Sequence, residues 1–181
     1  MTEPSRSSES QSQFALAFEM PETWFNDKVG GISASWPATT IHPCRNSPGP
    51  ASSAPGAHTD CGAMTILAMS EAAGGLEVMM PDGAWVPVAA RPNELVINLE
   101  DMMARWTNGR WASTLHRVAN PPVVNLAESR LQSIGYFVRP DYDAPIKCIP
   151  TCLADGAAPR FPEITAEMHI RRKIEQSHKA A

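Results

Sequence analysis

Short apolar segments separated by turn residues dominate the chain from residue 58 onward. They recur at the spacing of roughly 8–12 residues that is typical of all-β folds. The strand-like segments are 63–69, 76–80, 84–88, 95–99, 114–119, 133–138 and 146–149. Pro81-Asp82-Gly83 connects two of them as a hairpin, because Gly83 provides the positive φ that such a turn requires. The pattern predicts a mainly β fold, either an antiparallel sandwich or a jelly roll.

The N-terminal part of the chain has a different pattern. Residues 1–13 are polar and rich in serine, which predicts a disordered tail. Apolar residues within 14–29 predict short helical pieces. The proline-rich stretch 30–56 follows, and its prolines restrict any strand there to a short or edge position.

A helical pattern returns at the C-terminus. Thr165 is placed to cap a helix whose apolar face is formed by Ala166, Ile170 and Ile174, at i, i+4 and i+8. A strand-rich middle with a few flanking helices predicts one domain over residues 14–181, which begins where the tail ends.

Composition and charge narrow the classes of function. The chain has 181 residues, of which 43% are hydrophobic, enough for one core. Fifteen Lys and Arg against 19 Asp and Glu give a net charge of −4, which argues against nucleic acid or a membrane surface as the main partner. No apolar stretch approaches the ~20 residues that span a bilayer, and the polar N-terminus is unlike a secretory signal. We therefore expect a cytoplasmic protein whose 4 cysteines are free thiols.

Three residues form a candidate metal site. His58 and Asp60 alternate along a strand-like segment and therefore point to one face, and His116 in a later segment is the natural third ligand. Two His and one carboxylate on one face of an octahedron leave three positions open, as in non-haem Fe(II) oxygenases. A His-x-Asp pair alone is common on protein surfaces and does not establish such a site. The remaining histidines lack a comparable partner and are predicted to be solvated: His42, His169 and His178.

The sequence around these residues resembles the isopenicillin N synthase-like 2-oxoglutarate- and Fe(II)-dependent dioxygenases. Five segments follow the family's order and spacing: 56–67, 74–88, 95–101, 106–111 and 113–118. The resemblance implies a double-stranded β-helix (jelly roll) with iron at its open mouth and His58, Asp60 and His116 as metal ligands. It also implies the reaction, in which a small organic substrate is hydroxylated or desaturated with O2 while 2-oxoglutarate becomes succinate and CO2.

The co-substrate site departs from the family pattern. The resemblance implies an Arg-x-Ser pair for the distal carboxylate of 2-oxoglutarate, and Ser133 matches its serine. Leu131 stands where the arginine is expected, and Arg130 lies one position early. On a regular strand this shift turns the side chain to the other face, whereas a β-bulge between 130 and 133 would restore the alignment. Arg130 and Ser133 are the candidate co-substrate ligands.

The sequence departs from the family pattern in two further places, the segment 95–101 and the stretch 39–44. Glu100 replaces a turn glycine of the family, at a cost of about 1 kcal/mol if that position requires positive φ. Asn98 and Asp101 are predicted to satisfy turn backbone, and Asp101 to cap a short helix. The stretch 39–44 has no Tyr where the family has one.

Two hypotheses about function stay open. The first is an Fe(II)- and 2-oxoglutarate-dependent dioxygenase, or a related enzyme that keeps the triad without using 2-oxoglutarate. The second is a truncated or inactive paralogue that acts as a metal-binding or interaction protein, because the family's N-terminal region is largely missing before residue 14. Structural zinc is disfavoured, since it requires a closed tetrahedral shell. The sequence makes no prediction about oligomeric state.

Overall fold

The computed structural model describes residues 6–29, 38–41, 56–70, 75–89, 91, 93–119 and 131–180. The helices are α1 (Arg6–Ala17), α2 (Asp101–Trp106) and α3 (Ala166–Ala180), with a short 3₁₀ helix at Pro150–Cys152. The strands are β1 (Ala38–Ile41), β2 (Met64–Met69), β3 (Gly75–Met79), β4 (Trp85–Pro87), β5 (Val96–Leu99), β6 (His116–Ala119), β7 (Leu131–Val138), β8 (Pro145–Ile146) and β9 (Ile164–Thr165). This confirms the predicted mainly β chain with a helix at its C-terminus.

Antiparallel pairing organises the strands into two main sheets. One has the order β1-β7-β2-β5 and the other β4-β3-β6, while β8 and β9 form a separate pair. The predicted hairpin is present, because β3 pairs with β4 and Gly83 has φ +85° in the turn between them. Among the described residues, no helix combines the length and apolar character that a membrane span requires.

The pairing of strand β2 shows which face of the larger sheet is turned toward the candidate site. Thr65 of β2 lies opposite Asn98 of β5 on one side and Phe137 of β7 on the other. Side chains directly opposite one another in a sheet share a face, and the Asn98 amide reaches Asp60. The face of Thr65, Asn98 and Phe137 is therefore the face that continues into the candidate metal site.

The hydrophobic core packs the helices against the start of β2 and the C-terminal strands. Trp106 of α2 is fully buried, and its ring centroid lies 5.2 Å from that of Phe25. The other buried members of the core are Ala15, Phe18, Ala63, Met102, Met103, Ile146, Ile149, Ile164 and Ala166. Burying this apolar area is the main stabilising contribution to the domain. It anchors α2, whose first residues contact the candidate site.

Helix α1 occupies most of the segment that the sequence predicts to be a disordered tail. The helix begins at Arg6, so the prediction of a disordered tail is wrong for residues 6–13, while 1–5 lie outside the described residues. Its sequence contains neither Gly nor Pro, the residues that most disfavour a helix. Ala15 near its end and Phe18 just after it are buried in the core. A polar segment can thus remain helical when tertiary packing holds one end.

Candidate metal centre

Main-chain pairing brings His58 and His116 together. Each residue donates its N–H to the carbonyl oxygen of the other at 2.9 Å, which makes an isolated antiparallel bridge. Residues directly opposite one another in such a pair project their side chains to the same side. The two imidazole centroids are accordingly 4.4 Å apart. Strand pairing, rather than sequence proximity, creates this half of the site.

Asp60 completes the cluster from a position two residues after His58. Its Oδ1 lies 3.5 Å from His58 Nε2, and its Oδ2 lies 3.6 Å from His116 Nε2. One ligand atom from each residue lies within 4.8 Å of the other two. The three residues that the sequence singled out as a metal site therefore converge on one point.

Backbone carbonyl groups set the orientation of both imidazoles. Nδ1 of His58 lies 2.8 Å from the oxygen of Gly56, and Nδ1 of His116 lies 3.1 Å from the oxygen of Thr114. A carbonyl oxygen only accepts, so each Nδ1 carries a proton, and each Nε2 faces Asp60 as the atom that is available to a metal. Metal-ligating histidines use their second nitrogen in this way. Two neutral Nε2 atoms and a carboxylate are a donor set that fits Fe(II).

The charges of the cluster favour a deprotonated Asp60. Burial disfavours its charged form, but the hydrogen bond with His58, the charges of both imidazoles and the Asn98 amide keep the pKa of Asp60 below its ordinary value. The hydrogen bond that protonated His58 donates from Nε2 to Asp60 raises the pKa of His58. A cation at this point competes with the proton for His58, so its affinity falls as the pH falls.

Asn98 contacts the candidate ligand Asp60 instead of turn backbone. Its Nδ2 donates to Asp60 Oδ2 at 3.2 Å. The sequence prediction that Asn98 satisfies turn backbone is therefore wrong. A signal was available, because Asn98 is the one polar residue in the apolar run 95–99. A polar side chain within an apolar run indicates a polar partner, and here Asp60 is that partner.

Glu100 contacts the chain just after the candidate ligand Asp60. Its φ of −113° and ψ of 179° are ordinary extended values, so the strain predicted for a non-glycine residue is absent. The carboxylate accepts hydrogen bonds from the Gly62 N–H and the Thr65 hydroxyl. A Cβ on Gly62 would lie 2.5 Å from Glu100 Oε2 and 3.0 Å from the carbonyl oxygen of Val138, so this approach requires glycine. Burial raises the pKa of Glu100 to about 7.

The first residues of α2 hold the same segment through the main chain. The Asp101 N–H donates to the carbonyl oxygen of Asp60 at 3.0 Å, and the Met102 N–H donates to that of Gly62 at 2.9 Å. The N–H groups of a first helical turn have no partner inside the helix. Here they satisfy carbonyl groups of the segment that carries two candidate ligands, which fixes its path.

Asp101 and His169 differ from their sequence predictions. Asp101 is the first residue of α2 rather than its cap, and its carboxylate faces α3. Lys173 Nζ donates to it, and His169 Nε2 lies 3.6 Å from Oδ2. The His169 side chain is 14% exposed, so the prediction that it is solvated is wrong. His178 is exposed as predicted, and His42 lies outside the described residues.

Ser133 lies near the start of β7, opposite Met69 of β2 and Thr39 of β1. The ladder of β7 runs without interruption from Leu131 to Val138. No β-bulge is present in that range, although the sequence left one open between 130 and 133. Positions 131 and 133 share a face by alternation. Arg130 lies outside the described residues, so its place relative to Ser133 stays a prediction.

Comparison with known proteins places these features in a wider group. The family model of the 2OG-Fe(II) oxygenase superfamily matches residues 38–140. The 2-oxoglutarate-Fe(II) type oxidoreductase hxnY of Emericella nidulans is 37% identical over 124 residues, which are 68% of this chain and 34% of that protein. A 2-oxoglutarate-Fe(II) type oxidoreductase of Aspergillus fumigatus is 30% identical over 171 residues, 91% of this chain and 49% of that protein.

Solved structures agree with these matches. The crystal structure of a 2OG-Fe(II) oxygenase family protein from Caulobacter crescentus superposes with a TM-score of 0.77 at 27% identity, covering 94% of this chain and 54% of that chain. The likeness confirms the predicted jelly-roll fold. The chain spans between a third and about half of the length of these relatives, with 34% of one and 54% of another covered.

Proposed function

The chain belongs to the 2OG-Fe(II) oxygenase superfamily, and we propose that it is the catalytic part of an Fe(II)- and 2-oxoglutarate-dependent dioxygenase. The proposed reaction hydroxylates or desaturates a small organic substrate with O2 and releases succinate and CO2. The observation that carries this proposal is the convergence of His58 Nε2, His116 Nε2 and the Asp60 carboxylate within 4.8 Å.

His58, Asp60 and His116 would hold the iron in this proposal. Bound there, Fe(II) supplies the oxidising chemistry together with 2-oxoglutarate and O2. The chain supplies orientation. The carbonyl groups of Gly56 and Thr114 accept from the Nδ1–H groups, which leaves both Nε2 atoms directed at the centre and available to the metal. Two imidazoles and one carboxylate would leave further coordination positions available for co-substrate and O2.

Arg130 and Ser133 are the proposed ligands of the distal carboxylate of 2-oxoglutarate. A guanidinium group matches a carboxylate with two parallel hydrogen bonds, and a serine hydroxyl adds a third. Ser133 is separated from Phe137 by four positions on the regular strand β7, so the two share the face that continues into the metal site. Arg130→Ala should weaken 2-oxoglutarate binding at least about tenfold, the loss expected for a charged hydrogen bond. An unchanged affinity would show that Arg130 is not the anchor.

The remaining proposals concern partners and location. A small-molecule substrate suits a chain whose net charge is −4 and whose sequence lacks a dense basic run. We propose a cytoplasmic protein that requires neither nucleic acid nor a membrane as a partner.

One observation favours a second candidate function, metal binding without turnover of 2-oxoglutarate. The unbroken ladder of β7 leaves Leu131 at the position that shares the face of Ser133. A regular strand offers no correction for the shifted arginine within 131–138. The two candidates differ in whether the co-substrate binds to the iron.

Anaerobic spectroscopy separates the two candidates. Addition of Fe(II) and then 2-oxoglutarate should produce the weak visible charge-transfer band of the chelate. Succinate lacks the keto oxygen and serves as the control, with no band expected. A folded protein that holds stoichiometric iron and gives no band with 2-oxoglutarate would overturn the dioxygenase proposal and support the second candidate.

A further inference from the structure

The terminal helix α3 contacts the segment 58–60, which carries two of the candidate ligands. His169 and Lys173 are one helical turn apart, so they lie on the same face of α3, and both face Asp101. Lys173 Nζ donates to Asp101 Oδ2 and also to the hydroxyl of Thr59. Thr59 is the residue between His58 and Asp60. The helix therefore contacts the one residue that separates two candidate ligands.

Thr59 and its two neighbours face opposite ways. Along extended backbone, the side chains of positions 58 and 60 point to one side and that of 59 points to the other. The ligand atoms of His58 and Asp60 meet on the first side, and Lys173 bonds Thr59 on the second. The ammonium group therefore bonds the residue between the two candidate ligands, and its positive charge also acts on His58.

A closed loop of contacts surrounds this peptide. Lys173 joins the Thr59 hydroxyl to the Asp101 carboxylate, and the Asp101 N–H donates to the carbonyl oxygen of Asp60 at 3.0 Å. The path runs from Thr59 through Lys173 and Asp101 back to Asp60. It restrains the segment at the Thr59 side chain and at the Asp60 carbonyl group, on either side of the Asp60 Cα.

The ion pair of Lys173 and Asp101 is largely shielded from solvent. The Lys173 side chain is 30% exposed and that of Asp101 is 17% exposed, so the pair is less screened than the exposed ion pairs that contribute little. Burial disfavours a charged Asp101, but His169, Lys173 and Ser113 together hold the pKa of its carboxyl well below the ordinary range. Asp101 is therefore an anion throughout the neutral range and keeps the ammonium in place.

We propose that Lys173 is a positioning residue of the metal centre: through Thr59 and Asp101 it fixes the peptide that carries His58 and Asp60, so the docking of α3 sets the metal affinity. The inference rests on the proposed role of His58, Asp60 and His116 as ligands. A metal centre depends on such support, since its ligands must be held within about 0.5 Å of their working positions.

Metal titration of Lys173→Met tests this role. The substitution keeps an unbranched side chain and removes the three donors. Mn(II), which accepts the same N and O ligands as Fe(II), is the probe, and the EPR signal of the free ion reports binding. We expect the Kd for Mn(II) to rise about tenfold, the lower end of the effect of outer-shell partners, with unchanged far-UV circular dichroism. Lys173→Arg retains donors and should recover most of the affinity.

Arg172→Met is the matched control, because Arg172 is exposed on the same helix and the change in charge is the same. It should leave the Kd for Mn(II) unchanged. An equal loss in both variants would mean that the charge of the helix, and not the contact with Thr59, is responsible. That result would overturn the proposal.

Thr59→Val isolates the contact further, since it removes the hydroxyl and keeps the Lys173–Asp101 pair. It should raise the Kd in the wild-type background and have no further effect in Lys173→Met. Additive effects would overturn the proposal, as would an unchanged Kd in folded Lys173→Met. If Lys173→Met fails to fold, Thr59→Val decides, and an unchanged Kd there contradicts the role of Lys173.

The titrations also distinguish this inference from the proposed function. A wild-type protein that does not bind Mn(II), or binding that survives His116→Ala, contradicts the assignment of the ligands. Binding that requires His116 and is insensitive to Lys173 and Thr59 contradicts only the positioning role.

Discussion

The segment 58–60 and the start of β7 carry the two halves of the proposed active site, and they are built differently. At the metal end, main-chain groups hold the ligands from several directions. Both imidazoles bond carbonyl groups, and an N–H of α2 bonds the carbonyl of Asp60. At the start of β7, Ser133 belongs to a regular ladder, and Arg130, the proposed anchor, lies one position earlier in the sequence than the family pattern places it.

The two halves differ in the number of independent contacts that hold their side chains in place. The candidate metal ligands are held by strand pairing, by α2 and, in our proposal, by α3, so each support contributes part of their geometry. The proposed carboxylate site depends on one long side chain and one hydroxyl. We therefore expect the metal half to lose metal binding completely only when a ligand is removed, and to lose part of its affinity when a supporting residue is removed. We expect the co-substrate half to lose affinity for 2-oxoglutarate when either of its two side chains is removed.

Removal of a ligand gives the largest expected effect. His116→Ala should abolish stoichiometric binding of Fe(II) or Mn(II), because two remaining ligands make a poor site for a divalent metal. Metal content after anaerobic desalting measures this. His178→Ala on the exposed part of α3 is the control and should bind as the wild type does. One equivalent of tightly held metal in His116→Ala would mean that the third ligand is another residue.

Glu100 supports the metal half at a cost in stability that depends on pH. Its folded-state pKa of about 7 lies above the ordinary value of 4.5. Between these values the folded protein keeps a proton that the unfolded chain has released, so the free energy of unfolding falls as the pH rises through that window. The difference corresponds to roughly 3 kcal/mol.

Glu100→Gln should remove this part of the pH dependence. Urea denaturation of the metal-free protein at pH 5 and pH 8 measures it, and the variant should lose less stability than the wild type on going to the higher pH. Glu163→Gln is a suitable control, because Glu163 is exposed. Parallel stability curves for Glu100→Gln and the wild type would show that Glu100 is already ionised at pH 5.

Asn98 should have a smaller effect, on affinity rather than on folding. Asn98→Ala removes the amide that donates to Asp60 Oδ2 at 3.2 Å, and we expect about a tenfold weaker Kd for Mn(II). Asn26→Ala, at an exposed position, is the control. Unchanged affinity would indicate that α2 and α3 orient Asp60 sufficiently without the amide.

Short-range sequence pattern predicts only part of the site. His58 and Asp60 are two positions apart, and alternation along a strand is enough to place them on one face. The partners of Glu100 and Lys173 cannot be predicted in this way. Glu100 bonds a hydroxyl 35 residues earlier, and Lys173 bonds one 114 residues earlier. Such contacts depend on how sheets and helices pack, which periodicity does not encode.

Two wrong predictions have the same cause. The polar character of residues 6–13 predicts no helix there, but burial of Ala15 holds one end of a helix that begins at Arg6. The polar character of α3 predicts a solvated His169, but Asp101 lies against that face. In both, local composition describes the preference of the segment, and tertiary contact decides its state.

Ser133→Ala gives the smallest expected effect and tests the co-substrate half of the site. Loss of one hydroxyl donor to a carboxylate should weaken 2-oxoglutarate binding by roughly twofold to tenfold, with iron binding unchanged, because Ser133 pairs with Met69 at the far end of β2 from Asp60. Titration of the charge-transfer band under anaerobic conditions measures both quantities. Gln176→Ala, at an exposed position on α3, serves as the polar control. A loss of iron in Ser133→Ala would contradict the separation of the two halves, and an unchanged co-substrate affinity would remove Ser133 from the proposed site.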